Sequence, residues 1–327
     1  MLIVGENGVG KTNLLESLHI GTQGFSPRTR SDTQVIRFGE QAGRIALRGD
    51  RDARPVEIEV TLRQEQSKQA RLNGARLQTA EQLRRELTTL VFTPDRLAVV
   101  KGGPAVRRAY LDRSLGRLSP ARAQLPADYG AALAQRNAAL RRASLGLSSR
   151  DAIRPWTERV AALAGELVVA RRETVAGLQP PFGERAGELG LEGARLEYDA
   201  DAPSMEALEG RLERDLERGT TGIGPHLDDV LIAAGRRELR SFGSQGEQRL
   251  AVLALLLAEA EVLALRGRRP LLLLDDVLSE LDESRRRLLA ARVAGAGQTV
   301  ITATSAAAFP AEPAQVVDVW PGEARAR

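Results

Sequence analysis

The residue types and spacing most able to do chemistry are Gly5, Glu6, Asn7, Gly8, Val9, Gly10, Lys11, Thr12 and Asn13. Glycine, four residues, then Gly-Lys-Thr is a spacing that turns successive backbone N–H groups inward around an anion, because glycine accepts the required backbone angles without steric cost. A helix leaving such a loop points its positive end at the same place. Lys11 supplies a mobile charge for the outer phosphates, and the Thr12 hydroxyl is a magnesium ligand. Of 47 basic residues only Lys11, Lys68 and Lys101 are lysine. A chain that otherwise uses arginine places a compact ammonium in the one setting where a planar guanidinium does not fit.

Two further groups lie far along the chain. Leu271-Leu272-Leu273-Leu274-Asp275-Asp276 is an apolar run ending in two carboxylates. At the carboxyl edge of a sheet, Asp275 is expected to hold magnesium opposite Thr12, and Asp276 to orient or deprotonate an attacking water. Ser244-Gln245-Gly246-Glu247-Gln248 opens a long helical stretch. Ser244 and Glu247 read as a capping box. That leaves Gly246 unexplained, since glycine in a first turn costs roughly 1 kcal/mol, unless a phosphate must approach the helix tip closely. Serine, any residue, glycine, any residue, glutamine is also the pattern of an ABC-type signature, which completes the site of a partner subunit. Ser244, Gly246 and Gln248 are therefore nucleotide candidates. So is Asp282, in the segment Ser279-Glu280-Leu281-Asp282 that matches an interface-crossing loop in such dimers.

The elements that must position these groups follow from periodicity. Residues 1–20 read as strand, loop and helix, with Leu14, Leu15 and Leu18 on the apolar face. Arg44–Leu47, Val56–Leu62 and Ala70–Leu77 read as antiparallel strands, the last interrupted by an Asn73-Gly74 hairpin turn. Residues 113–219 are mostly helical by period, with loops at Leu145–Arg150, Gln179–Pro181 and Asp199–Pro203. An α/β pattern returns after residue 220: a short strand near Val230–Ala233, a helix from about Gly246 to Arg266, a strand at Leu271–Leu274, a helix at Glu283–Val293 and a strand at Thr299–Thr302. Continuous apolar strands suit a parallel sheet covered on both faces. That sheet is expected to draw on both ends of the chain, with a helical middle inserted.

Composition narrows the function classes. The chain has 327 residues, 43% hydrophobic and 28% charged, enough for one large domain or two moderate ones. The absence of cysteine excludes disulfides and thiolate zinc sites, and His19 and His226 are the only histidines. The apolar run Leu250–Leu265 contains Glu259 and Glu261, so it is not read as a membrane span. With no charged leader before an apolar core, a cytoplasmic location and no membrane partner are expected. Net charge is +4 overall, but residues 107–172 carry thirteen arginines against five acids and residues 173–219 twelve acids against five arginines. The basic block suits a polyanion, although taken alone it is better accounted for as a solvated helical surface in an arginine-rich chain. Aromatics make up only 3%, which favours duplex phosphates over stacked single-strand bases. Arg107, Arg108, Arg136, Arg141 and Arg142 are the DNA-phosphate candidates, chosen on charge alone.

Taken together, the segments GENGVGKTNLLE (5–16), FTPDRLAVVKGGPAVRRAYLD (92–112), QRNAALRR (135–142), GIGPHLDD (222–229), SQGEQRLAVLALLLAE (244–259) and LLLLDDVLSELD (271–282) resemble, in order, those of the RecF family, DNA-repair ATPases in the SMC-like branch of the ABC proteins. The resemblance implies an α/β fold: an ABC-type P-loop ATPase head (residues 1–112 plus 220–327) with a mixed sheet and an antiparallel β subdomain, and an inserted helical lobe (113–219). It implies ATP and Mg²⁺ as cofactors, an ATP-dependent homodimer with two sandwiched nucleotides, weak DNA-stimulated hydrolysis, and binding of double-stranded and gapped DNA with a RecR-like mediator to load RecA. Thr302 falls where transporter ATPases place a switch histidine, and a threonine cannot become a cation, so hydrolysis is expected to be slow. Asp276 and Thr302 are the catalytic candidates. Three features depart from the family pattern: no strand hairpin precedes the phosphate loop, Leu227 stands where arginine is usual, and Arg96 where an acid is usual. Two alternatives stay open, a transporter nucleotide-binding subunit and a non-hydrolysing ATP-binding scaffold. The first predicts a Glu after Asp275 and a switch His, and neither is present.

Overall fold

The computed structural model describes residues 1–29, 31–51, 53–295 and 297–327. They form two compact units, one of Met1–Arg96 with Leu263–Arg327 and one of Leu97–Val262. Among the described residues the strands run, in chain order, β1 (Leu2–Val4), β2 (Ala42–Arg51), β3 (Arg54–Arg63), β4 (Gln66–Leu72), β5 (Ala75–Arg76) and β6 (Thr89–Phe92). They continue with β7 (Ala194–Glu197), β8 (Leu231–Ala234), β9 (Arg237–Glu238), β10 (Leu271–Leu274), β11 (Thr299–Ala303), β12 (Val316–Trp320) and β13 (Glu323–Ala326).

The first unit is built on a six-stranded sheet ordered β13-β12-β1-β11-β10-β6, as expected of apolar strands drawn from both chain ends. All its pairs are parallel except β12 with β13. Ile3, Val91, Leu273 and Val300 are buried within it and pack with Leu15 of the helix Lys11–Gln23. A second, antiparallel sheet runs β2-β3-β4-β5. Its Ile58, Val60 and Leu62 alternate inward and pack against Ile20 of the same helix, so one helix carries the phosphate loop at its start and joins the two sheets along its length. Asn73 and Gly74, at φ 48° and 83°, make the expected hairpin turn. The β12–β13 hairpin lies beyond the last strand anticipated from the sequence. Its β13 is exposed along its whole length and so lacks an apolar period.

The second unit packs the helices Pro104–Leu118, Leu125–Ser144 and Arg154–Glu188 around Leu115, Tyr129, Val160, Leu163 and Leu167. The loop expected at Gln179–Pro181 is not there. Pro180 and Pro181 lie inside the 35-residue helix Arg154–Glu188, whose Leu178 and Phe182 are fully buried on either side of them. Packing of those two side chains outweighs the hydrogen bonds that proline forgoes. A strand, β7, also interrupts the helical stretch and pairs with β8.

The compact units divide at residues 97 and 262. Several contacts within the second unit tie its later segment to its helices, among them these two. One is the β7–β8 ladder. The other is Glu259, 1% exposed in the helix Gln245–Leu265, whose carboxylate takes hydrogen bonds from Ser114 at 3.1 Å and from Arg117 at 3.0 Å. An acid in an otherwise apolar helix is thus paired and hydrogen-bonded, as a buried charge must be.

Candidate nucleotide site

The phosphate loop follows the buried strand β1 and is shaped by its glycines. Gly8 and Gly10 sit at φ 85° and 109°, and Gly10 is the residue before the helix Lys11–Gln23. No side chain caps that helix and no acid lies in its first turn, so its leading N–H groups face an open space. A Cβ on Gly5 would meet the Val319 carbonyl oxygen at 2.5 Å, so the approach of β12 leaves room only for glycine there. Lys11 Nζ donates to the carbonyls of Gly5 and Glu6, each at 2.8 Å, holding the loop closed on itself.

The carboxylates arrive from β10. Asp275 is 4% exposed, and its Oδ1 accepts from Thr12 Oγ1 at 3.1 Å and from Thr302 Oγ1 at 2.8 Å. Thr302, 1% exposed at the end of β11, also accepts from Asp276 N at 2.8 Å. One buried hydroxyl therefore spans both acids. Asp276 is exposed and sits at φ 50°, ψ 29°, a left-handed conformation that costs a non-glycine residue energy and turns the chain sharply off the strand. A cavity of about 280 Å³ is lined by Asn7, Gly8, Gly10, Lys11, Thr12, Asn13, Asp275, Asp276 and Thr302, together with Arg28. Thr12 beside Asp275 is an all-oxygen pair suited to Mg²⁺. No cluster of three acids, histidines or cysteines able to hold a metal occurs among the described residues.

A glycine-wrapped loop after β1 thus shares a cavity with an acid pair at the end of β10, two strands along the sheet. The RecF/RecN/SMC N terminal domain family matches residues 1–322. The DNA replication and repair protein RecF of Heliobacterium modesticaldum is 36% identical over 95% of this chain and 88% of its own length. That of Bacillus subtilis is 34% identical over 93% and 86%. This chain belongs to the RecF family. A solved structure of the recombination mediator protein RecF with ATP, of the RecFOR pathway, superposes with a TM-score of 0.86 at 26% identity, covering all of this chain and 91% of that one. The Smc head domain of Pyrococcus furiosus, 17% identical with a TM-score of 0.58, shares the fold.

Of the RecF-type loop, Gly5, Glu6 and Val9 do not line the phosphate cavity. Val9 lines an adjoining groove of about 1070 Å³ that shares Gly10, Asn13 and Arg28 with it and includes Trp320, Arg37 and Arg44. Arg28 was not among the residues singled out from the sequence. The chain turns back after Gly24, at φ 77°, and Ser26 and Arg28 bond the buried Glu16, Arg28 Nη1 lying 3.2 Å from Glu16 Oε2. Its signal in the sequence is indirect: an acid on a buried helix face needs a cation nearby.

The signature segment lies in the second unit. Ser244 and Gly246 are exposed. Ser244 N donates to Glu247 Oε2 at 2.8 Å and Glu247 N to Ser244 Oγ at 3.2 Å, the anticipated capping box. A Cβ on Gly246 would meet nothing nearer than Ser244 Oγ at 4.0 Å, so nothing within the chain requires glycine there. Gln248 is 5% exposed and its Nε2 donates to the Leu239 carbonyl at 2.8 Å, so its amide holds the preceding turn. Asp282 is exposed and caps the helix Glu283–Gly295, its Oδ1 accepting from Ser284 Oγ at 2.7 Å and Arg285 N at 2.9 Å. Those bonds hold its carboxyl below the usual range.

Two of the DNA-phosphate candidates are buried. Arg107 is 3% exposed and grips both oxygens of Asp229, at 2.6 and 2.5 Å. Arg136 is fully buried, bonded to Asp215 at 2.8 Å and to the Thr221 and Thr157 hydroxyls. A count of charge along the chain does not distinguish arginines that face water from those that staple helices. Arg108, partly buried, donates to the Asp228 carbonyl at 2.6 Å. Arg141 and Arg142 are exposed, Arg141 donating to the Gly219 carbonyl at 3.2 Å.

Proposed function

We propose that this chain is an ATP-dependent DNA-binding repair protein that closes as a homodimer over nucleotide, hydrolyses ATP slowly, and acts at duplex beside single-strand gaps with a RecR-like mediator to load RecA. The observation that carries the reading is the hydroxyl–carboxylate group Thr12–Asp275–Thr302 set against an uncapped, glycine-opened helix start. The phosphates take the loop N–H groups and Lys11, which exchanges its carbonyl partners for phosphate oxygens. Thr12 and Asp275 would hold Mg²⁺, which would neutralise phosphate charge. Asp276, exposed at the cavity rim, orients the attacking water and accepts its proton. The base and ribose extend into the adjoining groove past Val9 and Trp320.

Ser244, exposed within its capping box, and Gly246, exposed with nothing nearer its missing Cβ than Ser244 Oγ, are read as the surface each subunit offers to the nucleotide of the other. Arg108, Arg141 and Arg142 remain the candidates for duplex phosphates. Sedimentation with ATP, Mg²⁺ and duplex DNA tests the reading. Lys11→Met abolishes ATP binding, and Ser244→Arg leaves nucleotide affinity intact while blocking ATP-driven dimers. Tight ATP binding by the first variant, or ATP-driven dimers of the second, refutes it.

A further inference from the structure

The end of β12 lies against the start of the phosphate loop. β1 and β12 run parallel with Val4 opposite Asp318, and one residue further on the Val319 carbonyl oxygen stands 2.5 Å from where a Gly5 Cβ would be. Side chains alternate along a strand. Val319 is buried in one cluster with Ile3, so Trp320 turns away from that cluster, and it is 49% exposed. The turn that follows fixes its place. Trp320 pairs with Glu323 across Pro321 and Gly322, with Gly322 at φ 82° and a proline whose ring locks its own φ. The indole makes no hydrogen bond or ring contact among the described residues. The fold asks for no tryptophan here, since valine or threonine serves the last residue of an exposed strand end equally well. What Trp320 does line is a groove of about 1070 Å³ that also takes in Val9, Gly10 and Asn13 of the phosphate loop. Gly10 and Asn13 line the phosphate cavity as well, so the two spaces adjoin, and the groove has room for a nucleoside. The chain's other tryptophan, Trp156, lies in the second unit.

We infer that Trp320 is the base-stacking residue of the nucleotide site: its indole face covers the purine of a nucleoside triphosphate whose phosphates occupy the loop at residues 5–13. Stacking grows with the area of ring that overlaps, so the site takes purine triphosphates in preference to pyrimidine ones. The inference rests on the reading of that loop as a nucleotide site. Its test uses the full chain in Mg²⁺ and isothermal titration with ATP, UTP and inorganic tripolyphosphate, the last carrying the phosphates without a base. Trp320→Ala weakens ATP binding about tenfold or more, the scale of one base stacked on an aromatic ring. It narrows the margin of ATP over UTP and leaves tripolyphosphate affinity within about twofold. Trp320→Phe recovers most of the loss. The melting temperature of Trp320→Ala stays near that of the unsubstituted chain, as for other exposed positions. In a Trp156→Phe background Trp320 is the sole indole, and its emission is quenched by ATP but not by tripolyphosphate. Unchanged ATP affinity in Trp320→Ala, an equal loss for ATP and tripolyphosphate, or indole emission that does not move at saturating ATP overturns the inference. Failure of the unsubstituted chain to bind either ATP or tripolyphosphate instead removes the phosphate site, and the inference with it.

Discussion

Thr302→Val tests the arrangement of the two acids most directly. The substitution preserves the branched shape and deletes one oxygen that makes two hydrogen bonds, to Asp275 Oδ1 and from Asp276 N, both at 2.8 Å. The first ends on a carboxylate and contributes about 1.5–3 kcal/mol. Losing the second leaves a backbone N–H without its acceptor, a penalty of about 1–3 kcal/mol. Asp276 is exposed, so water partly replaces that bond and the lower end applies. The expected loss is about 2.5–4 kcal/mol in urea unfolding of the nucleotide-free chain, with the slope against urea unchanged. Function is affected separately. Asp276 is held at φ 50°, and without the Thr302 bond its backbone relaxes and its carboxylate leaves the cavity rim. Turnover falls at least about tenfold, while ATP affinity in EDTA stays within about threefold, since the phosphate loop makes no bond to Thr302. A loss below about 0.5 kcal/mol, the scatter of ordinary surface substitutions, together with normal turnover, would refute the argument that this hydroxyl sets both acids.

Arg136→Met leaves Asp215 buried and unpaired and costs about 3–5 kcal/mol in denaturant unfolding, whereas adding Asp215→Leu recovers a substantial part of it; a single variant as stable as the parent would contradict the buried pair. Stability also depends on pH through His226. Burial holds its imidazole below the ordinary value, with Nδ1 accepting from the Tyr129 hydroxyl at 2.8 Å and Nε2 donating to the Thr221 carbonyl at 3.0 Å. For a base whose folded value is depressed, the contribution is complete above the unfolded value near 6.5 and is lost as pH falls through the folded one. Unfolding free energy therefore declines from about pH 6.5 downward, and His226→Gln flattens that limb; an unchanged profile in the variant would assign the decline to other groups.

The phosphate loop, the Asp275-Asp276 strand end and the capping box at Ser244 were legible in the sequence because each is a local device. Its geometry is written in a few consecutive residues: glycines that accept positive φ, a serine three residues before a glutamate, an apolar run that stops at two acids. That the central strands form a parallel sheet drawn from both chain ends followed for a similar reason, since continuous apolar runs suit a sheet covered on both faces; their order did not. What the tertiary structure decided is non-local. It buried Arg107, Arg136 and Gln248, which the sequence offered as binding residues, and brought Arg28 back to the cavity. It kept Pro180 and Pro181 inside a helix pinned by Leu178 and Phe182, and it set the register that places Trp320 beside the phosphate loop. Burial and register depend on which segments meet, and a side chain's charge or hydroxyl has no chemistry to offer a ligand until that meeting determines whether it faces solvent, a partner or a site.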